Sequence, residues 1–204
     1  MKTNCGVKKK GFTLVEILIV IAIISTVVLL GVSSYSTVRR KIRLDMASSN
    51  VASLISEARD KTKSGYFAGG SEPLCFGFRV EPDELIESLE TSYNRLSDVK
   101  CSREQNDIRK LRLGDIDEDL VIKEIELFEQ KREDPLTVFF SPPKGEPEIG
   151  STGENLRWGD AGSDQILKIV VGFKGSEHNL DKREVIFNIL TGNVYTQRYD
   201  KNNS

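Results

Sequence analysis

Between Phe12 and Val32 the chain runs for 21 residues with one ionisable side chain, Glu16. Wound as a helix at about 1.5 Å per residue, the run is roughly 30 Å long, the thickness of a bilayer hydrocarbon core. A buried helix of a soluble domain is seldom so long and apolar on every side. A secretory signal peptide would have a shorter apolar region closed by a small-residue cleavage site. Here no such site follows the run, and the small residue Gly11 stands before it. The pattern predicts a membrane helix. Lys8, Lys9 and Lys10 abut it and favour a cytoplasmic N-terminus. Arg39, Arg40, Lys41 and Arg43 oppose that bias from the far side, but they begin about two turns beyond the run.

A carboxylate in an apolar layer costs about 2.5–3.5 kcal/mol at mid-helix and less near an end, so Glu16 needs a reason. The stretch GFTLVEILIVIAII, residues 11–24, resembles the class III signal of type IV pilins and type II secretion pseudopilins. In that family a short basic leader ends in Gly. A prepilin peptidase cuts after it on the cytoplasmic side and methylates the new terminus, and a Glu follows four residues on. The resemblance implies a leader at 1–11, cleavage between Gly11 and Phe12, N-methylation of Phe12 and a filament-assembly role for Glu16. Methylation keeps the charge of the Phe12 amine, which a neighbouring subunit's Glu16 would then pair with. Two other readings stay open: pairing with the amine of its own chain, one turn away, or a headgroup-level position with no specific partner.

The helical pattern continues past the membrane run, with no proline before Pro73. Tyr35, Val38, Ile42, Leu44, Ala47, Val51, Leu54 and Ala58 recur at mostly three- and four-residue steps, predicting one stripe laid on a sheet. Ser48, Ser49, Asn50, Ser53 and Ser56 are assigned to the other face. Lys61, Lys63 and Gly65 signal the stop. One helix from about 12 to about 63 is expected, apolar all round over 12–34 and amphipathic over 35–63. Gly31, Ser33 and Ser34 form a soft spot where many pilins carry a proline. The basic band from Arg39 to Arg43 reads as a solvated face, an anionic-lipid contact or a salt-bridge ladder between subunits.

Residues 64–204 read as a globular β-rich domain. After a glycine-rich loop at 64–72, Leu74, Phe76, Phe78 and Val80 alternate onto one face and leave Cys75 on the other. The polar stretch 83–112 reads as a short surface helix, with Leu85, Leu89 and Tyr93 at four-residue steps, inside an insertion carrying Cys101. Strands are expected at 120–127, 136–141, 165–173, 183–190 and 193–199, with a long Gly- and acid-rich loop at 145–164. Thr191-Gly192 signals a tight hairpin. The fold class is α+β: a long N-terminal helix on an antiparallel β-rich domain. The closing hairpin and the phrase FFSPPKG resemble the H-type minor pseudopilins, the GspH/FimT group.

Of three cysteines, Cys5 falls in the leader, while Cys75 and Cys101 would be exported together. A disulfide between these two and a pair of half-buried thiols both fit at this point. The bridge would close a loop worth roughly 3.5 kcal/mol in the chain-entropy model. His178 is the one histidine and lies in a polar loop, so neither a catalytic triad nor a zinc site is indicated. Asp115, Asp117, Glu118 and Asp119 have oxygen ligands but not EF-hand spacing. They read as a solvated acidic turn, with a calcium site as the alternative, and no cofactor is expected. Trp158, beside Arg157, reads as a packing residue or an anchor for a partner.

The net charge is −2. Without the leader lysines it is about −6 by the same formal count. An acidic body disfavours nonspecific nucleic-acid binding, which needs clustered cations. The resemblance implies a structural subunit, not an enzyme: a minor subunit of a type IV pilus or a secretion pseudopilus. It would be single-pass in the inner membrane with its domain outside the cytoplasm. Its partners would be a prepilin peptidase, other subunits, an inner-membrane assembly platform and, before assembly, lipid. A filament-borne binding module for DNA or secreted protein is the alternative. Its support is thin, since the tail TQRYDKNNS offers only Arg198 and Lys201.

Overall fold

The computed structural model describes residues 12–65, 74–82, 85–92, 101, 106–151, 154–156 and 165–200. Side chains at 30–34, 85, 87, 92, 106–109 and 150–156 lie outside the described set. The chain has two compact units, Met1–Arg40 and Lys41–Ser204. One helix, α1 (Leu14–Lys63, 50 residues), contributes to both. Thr13 caps its start, accepting the Glu16 amide on its hydroxyl at 3.2 Å. Lys61 and Lys63 complement the carbonyls of the last turn, and Gly65, at φ 64°, lies just past the end.

In the first unit every side chain from Phe12 to Leu29 is exposed. Ser25 and Thr26 turn their hydroxyls back onto the carbonyls of Ile21 and Ile23, both at 2.8 Å, so these polar groups are satisfied within the helix. Among the described residues no helix is long and apolar enough to cross a membrane. The run read from the sequence continues into 30–34, outside the described side chains.

In the second unit α1 buries Leu44, Ala47, Val51, Leu54, Ile55 and Ala58. Removing Leu44, Val51, Leu54 and Ile55 from water contributes roughly 1.5–3 kcal/mol each, before the entropy of ordering them. Tyr35, Val38 and Ile42, expected on the same stripe, are instead exposed. Conversely Ser48, assigned to the outer face, is buried. Its hydroxyl is close to the Leu44 and Asp45 carbonyls, at 3.1 and 3.0 Å, and this local bond removes the penalty for burying it.

The stripe joins one apolar core with two antiparallel sheets. The first contains β1 (Leu74–Glu81), β2 (Leu85–Ser92), β3 (Asn106–Arg112), β6 (Leu136–Ser141), β7 (Glu146–Ser151) and β8 (Glu154–Leu156), in spatial order β3-β2-β1-β6-β7-β8. The second contains β4 (Leu120–Leu127), β5 (Gln130–Arg132), β9 (Ile166–Phe173), β10 (Lys182–Asn188) and β11 (Val194–Arg198), in order β11-β10-β9-β4-β5. The expected alternation in β1 holds, with Phe76, Phe78 and Val80 in the core. Phe78 and Phe140 of the first sheet meet Phe187 of the second. The ring centroids are 6.2 Å apart for Phe78–Phe140, 6.2 Å for Phe78–Phe187 and 5.7 Å for Phe140–Phe187. Both pairings across the sheets are edge-to-face, a favoured aromatic geometry.

Two segments differ from expectation. The stretch read as a surface helix supplies β2 and β3. The register of β2 against β3 shifts between Ser88 and Leu89, and Ile86 faces the core while Leu89 faces away. Four-residue spacing of Leu85, Leu89 and Tyr93 is equally a one-face strand pattern, because four is a multiple of two. Within the long loop expected at 145–164 lie β7 and β8. Ile149 there is buried, and Pro147 pairs with Phe140.

The end of α1 is tied to both sheets. The buried Thr62 hydroxyl accepts the Phe76 amide at 3.2 Å and donates to the Ala58 carbonyl at 3.1 Å. The Lys63 stem rests on Gly145 in the β6–β7 turn. Arg59 donates to the carbonyls of Gly192 and Thr191 at 2.6 and 2.8 Å, gripping the β10–β11 turn. Gly192 has φ 68°, and a Cβ there would overlap the guanidinium. On the outer face of the second sheet Lys168 pairs with Glu126 at 3.3 Å, and Gln197 donates to the buried Glu184 at 2.7 Å. Lys131 pairs with Glu124. Its pKa is raised, first by that hydrogen bond and then by the charge of Glu124.

The β4–β5 turn places two non-glycine residues in the left-handed region, Phe128 at φ 55° and Glu129 at φ 62°. Such residues cost of order 1 kcal/mol or more each. In urea unfolding of a fragment covering 41–204, Glu129→Gly is expected to raise stability by about 0.5–1 kcal/mol by relieving that strain. Gly192→Ala should lower it by about 2 kcal/mol through strain and the lost Arg59 seat. Equal midpoints for the two variants would contradict this account of the turns.

Candidate functional site

The start of α1 brings together Phe12, Thr13 and Glu16, while Gly11 lies outside the described residues. Phe12 is 80% exposed. Glu16 is also exposed and occupies the first turn, where the unpaired amides and the helix dipole favour a carboxylate. Thr13 as N-cap and Glu16 three residues on have the spacing of a capping box. The sequence reading missed that role, though the signal was present: Thr-x-x-Glu immediately before an apolar run. Glu16 is thus placed by the helix start itself, one turn from the position where cleavage would create an amine.

The base of the second unit holds another set of charges. Arg43 pairs with Asp117, which precedes β4. Asp45 accepts Arg183 Nε of β10 at 2.6 Å. Arg43 therefore belongs to the domain and not to a uniformly solvated basic band. Asp117 also accepts the Asp119 amide at 3.2 Å, while Asp115, Glu118 and Asp119 are exposed. The acidic turn is a local ion-pair and turn structure. Among the described residues no group of His, Cys, Asp and Glu side chains is placed to hold a metal ion. His178 is exposed in its loop, as is Arg198 on β11. Arg157, Trp158 and Lys201 lie outside the described residues.

Cys75 and Cys101 form a disulfide, with Cα atoms 5.9 Å apart. It lies on the face of the first sheet turned away from the core, in a small cluster with Leu89 and Phe139. Gly77 makes this cluster possible, because a Cβ there would collide with the Phe139 ring and the Val138 carbonyl. Glu148 accepts the Cys101 amide at 3.3 Å. The bridge ties residue 101 to β1 over the outer face, as the position of Cys75 off the core side suggested.

Residues 7–32 match the prokaryotic N-terminal methylation motif, so the chain carries the class III signal of type IV pilins and pseudopilins. The matched residues take in Gly11, Phe12 and Glu16. No curated protein and no solved structure matches the chain. An N-terminal helix packed on an antiparallel β domain is the α+β arrangement of pilin-like proteins.

If Thr13 caps the helix, Thr13→Ala should accelerate amide exchange at Glu16 roughly fivefold, equivalent to about 1 kcal/mol. Thr13→Ser should keep the wild-type rate. Equal rates in all three chains would remove Thr13 from the description of the site.

Proposed function

We propose that this chain is a minor structural subunit of a type IV pilus or a type II secretion pseudopilus. The observation that carries the reading is the methylation motif at 7–32, followed by a helix whose described side chains from Phe12 to Leu29 are apolar almost throughout and exposed. In this reading 1–11 is a leader, 12–34 the membrane half of the helix, 35–63 its amphipathic half and 64–204 the pilin-like domain. A prepilin peptidase cuts between Gly11 and Phe12 and methylates Phe12. The chain waits in the inner membrane as a single-pass protein, N-terminus inside and domain outside. The mid-chain disulfide supports export, since such bonds persist in oxidising compartments. The strand-rich tail, the closing hairpin and the FFSPPKG segment favour an H-type minor pseudopilin.

Assembly then exchanges lipid for neighbouring helices. In lipid the apolar side chains are already solvated, so hydrophobicity alone gives no net drive and specific pairs decide the register. Glu16 and the Phe12 ammonium of a neighbouring subunit form such a pair, each relieving the other's charge in the apolar layer. Expressed with a filament-assembly system that incorporates the wild type, Glu16→Ala should fall at least tenfold in sheared filament fractions. Its domain should keep wild-type protease resistance. Wild-type incorporation of the variant would contradict the pairing.

A further inference from the structure

Cations just outside the apolar run on the exported side work against the orientation that the leader lysines favour. Cleavage after Gly11 would remove Lys2, Lys8, Lys9 and Lys10. The remaining side-chain cations near the membrane are then on the far side, where Arg39, Arg40 and Lys41 are exposed. Tyr35, one turn earlier, is 68% exposed. We propose that Tyr35, Arg39 and Arg40 form a binding band for anionic phospholipid headgroups of the outer leaflet, which holds the processed subunit at a fixed depth before assembly. This rests on the membrane reading above.

The depths agree with that occupant. Taking Val32 as the end of the apolar run, Tyr35 is three residues on, about 4.5 Å of helix rise, and Arg39 seven residues on, about 10 Å. Each headgroup layer is roughly 5–7 Å thick. Tyr35 thus falls within it, where aromatic side chains concentrate. Arg39 and Arg40 fall just beyond it, but helical side chains lean toward the helix N-terminus, here the membrane side. Both guanidiniums can therefore reach back to the phosphates, and arginine's planar fork suits bidentate phosphate contact. Val38, between Tyr35 and Arg39 in the chain, is 53% exposed and adds an apolar contact on the lipid side.

The test uses the full processed chain in vesicles of phosphatidylcholine with phosphatidylglycerol. Spin-labelled versions of each lipid report their relative association with the inserted protein. About fivefold preference per arginine, partly screened by salt, gives roughly tenfold for phosphatidylglycerol. The preference should fall severalfold in an Arg39→Gln, Arg40→Gln double variant, with the exposed Lys41 keeping a remainder, and stay unchanged in Lys174→Gln. An inserted chain indifferent to headgroup charge, or a double variant with the full preference, overturns the proposal alone. A double variant that keeps its lipid preference but loses cross-linking to neighbouring subunits overturns it too, and assigns the arginines to a subunit contact. A chain that carbonate washes from the vesicles overturns the membrane reading together with this one.

Discussion

Everything in this molecule follows from the need to cover the apolar surface of α1. Over 44–58 the helix carries one apolar stripe, and two sheets bury it. From Phe12 to Leu29 apolar side chains point in every direction and remain exposed within the chain. A helix apolar all round needs that surface covered, and within the described residues nothing covers it. The methylation motif lies at the start of this uncovered half of the helix.

The domain is organised to hold its share of the helix firmly. At the near end Arg43 and Asp45 engage Asp117 and Arg183 with opposite polarity. At the far end Arg59, Thr62 and Lys63 reach a turn of the second sheet, the first strand and a turn of the first sheet. Surface ion pairs contribute only about 0–1 kcal/mol each, so the apolar stripe supplies most of the stability and the polar contacts fix the axial position. Phe78, Phe140 and Phe187 join the two sheets beneath it. On the opposite face of the first sheet, the disulfide joins Cys101 to β1 beside Leu89 and Phe139.

Much of this was legible in the residues. The helix ends lay within two residues of expectation, and the strands at 120–127 and 136–141 have the bounds their apolar runs suggested. Alternation in LCFGFRV placed Cys75 on the outer face correctly. What failed had physical causes. Leu85, Leu89 and Tyr93 fit a helix or one face of a strand equally well, and the pairing with β1 decided the matter. Glycine, proline and glutamate hid β7, which is stabilised by its partner β6 and not by propensity. Tyr35, Val38 and Ile42 kept the helical period of the buried stripe, yet burial begins only at Leu44. At the candidate site the role of Glu16 is an expectation drawn from its spacing to Gly11 within the matched motif. The Thr13 cap has its own signal, Thr-x-x-Glu before an apolar run, which reading Glu16 for its charge alone passes over.

The central claim is that the start of α1 is a processed filament signal. Intact mass and N-terminal peptide mapping of the chain, coexpressed with a prepilin peptidase, test it most directly. The account predicts a chain lacking residues 1–11 with one methyl group on Phe12. A full-length, unmethylated chain, under conditions where a control prepilin is processed, would contradict it and leave 12–32 as a plain anchor.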